Sequence, residues 1–132
     1  MTLLIDADWL IYSSCCACEQ DIQWDSNLHT LHVDERDVHE MVDGRIAHYQ
    51  TIAEGDKNVV MCFTEYPTFR HTIYPEYKAN RKHKRKPLGL RKIIEGVREK
   101  YTSESYPGLE GDDVMSILAT SKKYNDSIVV SV

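Results

Sequence analysis

Thr2-Leu3-Leu4-Ile5-Asp6-Ala7-Asp8 is a short apolar run that ends abruptly in acids, and the reading of this stretch decides the fold. A strand buried on both faces reads as a continuous apolar run rather than an alternating one, and such strands belong to parallel sheets covered by helices. Asn58 to Thr64 repeats the pattern, apolar at Val59, Val60, Met61, Cys62 and Phe63 and followed at once by Glu65. Between the two, Asp8 to Gln20 suits a helix and Gln23 to Val33 a small hairpin or loop. Asp34 is an N-cap candidate for a helix to about Glu54, with Val38, Met41, Val42, Ile46, Tyr49, Ile52 and Ala53 at helical spacing. Tyr101 to Tyr106 suits a third strand, Leu109 to Tyr124 a helix after the Pro107-Gly108 turn, and Ser127 to Val132 a fourth strand. Strands alternating with helices predict an α/β fold, a parallel sheet flanked by helices, in one domain over residues 1–132.

Charge is distributed unevenly. The chain of 132 residues carries 16 Lys/Arg and 21 Asp/Glu, net −5, yet nine of the cations and one of the acids fall between Arg70 and Lys92. That segment has a net charge of +8 and the remainder −13. One surface therefore suits a polyanion and another suits cations. On a helix, Lys78, Arg81, Lys82 and Arg85 share a stripe with no acid at i±4, so phosphate is their expected counter-ion.

Three acidic clusters fall where a parallel sheet presents one edge: Asp6-Ala7-Asp8 after the first strand, Glu65 after the second, and Glu110-Gly111-Asp112-Asp113 at a helix start. An acid at a helix N-terminus is commonly just a cap. Clusters after successive strands are harder to dismiss, because gathered carboxylates repel one another unless a cation joins them. Hard oxygen donors select Mg²⁺ or Mn²⁺. Such acids beside phosphate-binding cations describe a phosphodiesterase.

Other features carry less. Cys15, Cys16, Cys18 and Cys62 lack paired C-x-x-C spacing, so reduced, mostly buried thiols are expected, with Cys62 in the core. His29, His32 and His39 are too loosely spaced for a metal site, and Trp9 and Trp24 are expected to pack at least partly. No apolar run has membrane-spanning length, and the N-terminus lacks the basic and long apolar regions of a signal peptide.

Tyr77-Lys78-Ala79-Asn80-Arg81-Lys82 resembles the Y-K-x-N-R motif at the base of the helical arch in 5′ nucleases of the flap-endonuclease (PIN-like) superfamily. Leu109-Glu110-Gly111-Asp112-Asp113 resembles that family's E-[AG]-D-D motif as found in phage-type 5′→3′ exonucleases. Leu3-Leu4-Ile5-Asp6 resembles the first strand and Met61-Cys62-Phe63-Thr64-Glu65 the second, with Glu65 where the family usually has Asp. The four motifs occur in order over the whole chain.

The resemblance implies that Asp6, Glu110, Asp112 and Asp113 provide or orient ligands of a metal site holding Mg²⁺ or Mn²⁺, with Glu65 in its outer shell. It implies that Lys78 and Arg81 contact the scissile phosphate, that Tyr77 stacks on a terminal base, and that Lys82 and Arg85 extend the contact with DNA. Residues 70–100 would form the arch, and the substrate would be a DNA 5′ end, single-stranded or flapped. Asp8 stands outside this carry-over because the family position is often not acidic. The family continues past the fourth strand with a D-x-D pair and a duplex-binding element. A chain stopping at Val132 is therefore expected to be truncated, to lack the second metal site, and to cleave DNA poorly alone. It would await a second copy or its missing half. The expected location is cytoplasmic, in the host if the chain is phage-encoded. The competing readings are a non-catalytic DNA- or partner-binding module and a haloacid-dehalogenase-like phosphatase. The latter wants Thr or Val where Leu10 stands and leaves the basic segment unexplained.

Overall fold

The first strand sits at the centre of the molecule, where apolar residues on both faces must be covered. The computed structural model describes residues 2–53, 58–78, 85–124 and 126–131. In chain order they form β1 (Thr2–Asp6), α1 (Ala7–Cys18), β2 (Gln20–Gln23), β3 (His29–His32), α2 (Glu35–Ile52), β4 (Asn58–Cys62), α3 (Phe69–Ile73), α4 (Leu90–Lys100), β5 (Thr102–Glu104), α5 (Gly111–Ala119) and β6 (Ser127–Val130).

The main sheet has the order β5-β4-β1-β6 and every pairing in it is parallel. Leu3 aligns with Val59 on one side and Ile128 on the other. Successive side chains of a strand point to opposite faces, and both faces are dry. Leu3, Ile5, Met61 and Phe63 pack with α1, α2 and α4, through residues such as Leu10, Val42 and Val97. Leu4, Val60 and Cys62 pack with Val114, Met115 and Leu118 of α5 on the other face. Each fully buried Leu or Ile contributes roughly 1.5–3 kcal/mol, which explains why the acids wait until the strand ends. From β1 the chain winds outward through β4 to β5, then returns across the sheet to β6 on the far side of β1. That reversal between β1 and β6 is a topological switch point, and ligand sites of open α/β sheets lie outside the carboxyl ends of the strands there.

The smaller β2–β3 hairpin is antiparallel, turned by Asp25, whose Oδ1 accepts from the Asn27 N–H at 2.7 Å. Trp24 is 65% exposed on it and donates its indole N–H to Thr30, contrary to the expected packing role. Its indole has found a polar partner but no core. The four thiols are free. Cys15 and Cys62 are buried, while Cys16 faces solvent, so the cysteine cluster is less buried than its sequence suggests. No helix among the described residues is long and apolar enough to cross a membrane.

The basic segment is the main departure from expectation. It contains α3 and α4, but Lys78 lies in a turn with φ +54°, and Arg85 is in neither helix nor strand. No single helical stripe carries both. A left-handed residue interrupts a helix because its backbone cannot continue the right-handed hydrogen-bond ladder. Arg81 and Lys82 lie outside the described residues, within the part of the expected arch at positions 79–84.

Candidate active site

β1 delivers Asp6 to the carboxyl edge, and α1 starts on it. Asp6 is the N-cap of α1, its Oδ1 3.5 Å from the Trp9 N–H. Asp8 lies in the first turn, and its Oδ2 accepts from the backbone N–H of Thr64 at 2.8 Å, just beyond β4. The Thr64 hydroxyl accepts from the Gly111 N–H at 2.9 Å. Thr64 therefore ties the first acidic cluster to the start of α5.

Gly111 is buried there with no room for a side chain. A Cβ on it would stand 3.2 Å from the Cys62 carbonyl oxygen and 3.5 Å from both Asp6 Oδ1 and Asp8 Oδ2. This close approach brings the α5 N-terminus, with Asp112, against the two acids. Burial, with repulsion from Asp112 and Asp8, pushes the Asp6 carboxyl up to about 6, against the Trp9 N–H that favours its charge. Burial also raises Asp8, which Asp112 repels further and which Thr64 and the charge of Arg98 oppose. Asp6, Asp8 and Asp112 thus form a cluster with too little positive charge of its own.

Glu110 and Asp113, from the same turn of sequence, meet a different environment. Arg70 on α3 forks onto Asp113, Nη1 to Oδ2 at 2.6 Å and Nη2 to Oδ1 at 2.9 Å, and Nη1 stands 3.5 Å from Glu110 Oε2. Lys78 Nζ lies 3.4 Å from Glu110 Oε1. The Arg70 guanidinium holds Asp113 below the usual carboxylate range. Burial works against the Lys78 ammonium, but Tyr77 and Glu110 outweigh it and hold it above the usual lysine range. Glu110 and Asp113 also complete a capping box for α5.

Glu65 is set apart from both groups, its Oε1 accepting from the Ser105 hydroxyl at 3.2 Å. The Tyr77 ring lies 5.5 Å from the His71 ring, with Lys78 Nζ 5.0 Å from its own centroid. Arg85 forks onto Glu19 at 2.7 and 2.8 Å, so its charge is already paired within the chain. The acids that the stripe argument sought at i±4 come from distant parts of the chain.

Of the five expected metal ligands, then, Asp6 and Asp112 come together, Glu110 and Asp113 face cations, and Glu65 faces a serine. Asp8, set aside in the sequence, joins Asp6 and Asp112. Thr64, Gly111 and Arg70 were not singled out as site residues, and only their places beside a strand end or within a basic run hinted at them. Among the described residues no group of three or more His, Cys, Asp or Glu side chains is arranged to hold a metal ion. The donor chemistry nevertheless fits Mg²⁺, which keeps several waters and is commonly bound through only one or two carboxylates plus substrate phosphates. The unbalanced charge at Asp6, Asp8 and Asp112 fits it as well.

Comparison with known proteins bears on the same residues. The family described as "5'-3' exonuclease, N-terminal resolvase-like domain" matches residues 1–132. The chain belongs to this family. Two curated relatives are the "Exodeoxyribonuclease" of Enterobacteria phage T3 and the "Exonuclease" of Escherichia phage T7. Each is 32% identical over 124 residues, covering 90% of this chain and 41% of the relative. The chain thus spans about two fifths of the length of these relatives. No solved structure matches. As a phage-type 5′-3′ exonuclease N-terminal domain, the chain places the acids of its first strand and of its E-G-D-D turn on one edge, although it distributes them between two charge environments.

Proposed function

We propose that the chain serves metal-dependent 5′→3′ hydrolysis of DNA phosphodiester bonds, acting at single-stranded or flapped 5′ ends. The observation that carries this reading is the mutual repulsion of Asp6, Asp8 and Asp112 at the carboxyl edge, opposed by the charge of Arg98 but not overcome by it, with Lys78 on the neighbouring Glu110. Asp6, Asp8 and Asp112 would hold a Mg²⁺ or Mn²⁺ ion, directly or through water. When bound, that ion supplies Lewis-acid stabilisation of charge developing on the phosphate. Lys78 and Arg81 bind the scissile phosphate, and Lys82 and Arg85 the strand beyond it. Tyr77 offers a face to the terminal base. Glu65, through Ser105, steadies the loop after β4, and Asp113, held by Arg70, orients the turn that carries Asp112.

The test is release of nucleotides from 5′-labelled single-stranded and flapped DNA in Mg²⁺, Mn²⁺ and EDTA, for the parent and Asp112→Asn. Cleavage that needs the metal and falls by about 100-fold in the variant is the expected result, since site groups of this kind are worth 10²–10³ in rate. The absence of a preformed three-ligand cluster among the described residues favours a second reading, a DNA-binding module without hydrolysis. DNA binding in EDTA with no metal-dependent cleavage would select that reading.

A further inference from the structure

Glu110 pairs with two cations of the basic segment and directly precedes Gly111, the residue pressed against Asp6 and Asp8, and its side chain is only 14% exposed. Its two cationic neighbours are not equivalent. Arg70 makes its short contacts, at 2.6 and 2.9 Å, to Asp113 and reaches Glu110 only at 3.5 Å. Arg70 is further fixed by its helix, because the Phe69 N–H donates to the Gly108 carbonyl at 2.7 Å. Lys78 meets Glu110 at a single 3.4 Å contact, from a turn in which its own φ is left-handed at +54°. A lone ammonium contact at that distance is weaker than a guanidinium fork and more readily exchanged.

We infer that Lys78 and Glu110 are an exchange pair that couples phosphate binding to cation binding. Without DNA, Lys78 offsets the Glu110 charge and lowers the attraction of the edge for a divalent ion. A DNA phosphate that takes Lys78 returns that negative charge to the edge, so the ion binds more tightly when substrate is present. By linkage, the ion strengthens phosphate binding by the same factor. Lys78 thereby acts on the ion site through Glu110, as a positioning residue, while Arg70 keeps Asp113 out of the exchange. This inference rests on the proposed reading of Asp6, Asp8 and Asp112 as an ion site.

The experiment is calorimetric titration of Mn²⁺ into the 132-residue protein, for the parent, Lys78→Met, Lys78→Arg, Glu110→Gln, the Lys78→Met/Glu110→Gln double variant, and Asp112→Asn. Lys78→Met should bind Mn²⁺ about 5-fold more tightly than the parent, a size suited to the removal of one partly screened charge. Lys78→Arg, which keeps the charge, should stay at the parental affinity. In the Glu110→Gln background the gain from Lys78→Met should vanish. A short 5′-phosphorylated single strand should tighten Mn²⁺ binding by the parent and do so less in Lys78→Met.

The same gain with and without Glu110 would mean a general field effect, and no gain at all would mean that the pair is inert. Either result overturns the exchange. If Asp112→Asn binds Mn²⁺ as the parent does, the ion lies elsewhere and the proposed function falls first. If the parent binds no Mn²⁺, both fall together.

Discussion

Asp112 and Asp113 are adjacent in sequence and end in opposite surroundings. Asp112 faces Asp6 and Asp8, whose carboxyls burial raises and which its charge repels further. Asp113 is gripped by Arg70 and lowered. Residue type and helix position are nearly the same for both. The difference comes from what other elements bring: β1 carries acids to one side of the α5 N-terminus, and α3 carries a guanidinium to the other. A site of this kind needs both sides. The balanced side fixes geometry at little electrostatic cost, and the unbalanced side retains the repulsion that the proposed ion would relieve.

The sharpest way to break the comparison is Gly111→Ala. Its new Cβ would press on the Cys62 carbonyl at 3.2 Å, which belongs to a central strand and yields little. The expected loss is about 1–3 kcal/mol of stability by overpacking, read from urea unfolding, together with loss of Mn²⁺ affinity as α5 is pushed off the acids. Unchanged stability and affinity would show that the close approach is not needed.

Next in size is Asp6→Asn. Burial raises the native carboxyl from its ordinary value near 3.8 to about 6, so the fold holds this proton more tightly than the unfolded chain does. The associated stability is fully present below about pH 4 and is lost as pH rises through about 6. At pH 7.5, without divalent ions, the Asn variant should therefore be more stable than the parent, by about 1–2 kcal/mol after allowing for solvent screening. The advantage should disappear by pH 4. Added Mg²⁺ should shrink it too, because a bound ion stabilises only the parent's native state. A flat difference across pH would remove the unbalanced half of the comparison.

Arg70→Gln attacks the balanced half. The Asp113 carboxyl, followed by carbon-13 NMR, should titrate higher than in the parent, and thermal unfolding should move down by several degrees. A titration curve that stays put would show that the fork contributes nothing.

The smallest effect is expected from Glu19→Gln at the far end of the basic segment. Its hydrogen bond to Arg85, with one from the Leu88 N–H, holds Glu19 at about 2. The stability it adds is present above about pH 4.5 and fades as pH falls toward 2. Because Arg85 is more than half exposed, the pair is screened by solvent and its loss should cost less than about 1 kcal/mol at neutral pH, while salt-dependent DNA binding should change measurably.

What the sequence made legible follows from locality. Asp34 caps α2, whose first residue is Glu35, and the doubly buried runs at Thr2–Ile5 and Asn58–Phe63 became central strands, because each signal lies within a few residues of its effect. The pairs that set the charge balance are long-range. Lys78 and Glu110 are 32 positions apart, Arg85 and Glu19 are 66, and Thr64 and Asp8 are 56. A search at i±4 cannot see them, so the basic stripe read as self-repelling. The place of Asp8 is hidden for the same reason, since the groups that act on it lie just beyond β4 and on α4 and α5. Trp24 misled differently: a large indole predicts burial, but a two-stranded ribbon has no second layer to bury it.

The winding of the main sheet also has a consequence in time. β1 is the first strand made, yet its neighbours are β4, beginning at Asn58, and β6, beginning at Ser127. At about 5–20 residues per second of synthesis, Asp6 precedes the last strand beside it by on the order of 10 s. Pairings so distant along the chain also close slowly, because loop entropy must be lost before contacts repay it. A nascent chain therefore carries Asp6 and Asp8 long before β6 has joined β1 to complete the edge on which they gather.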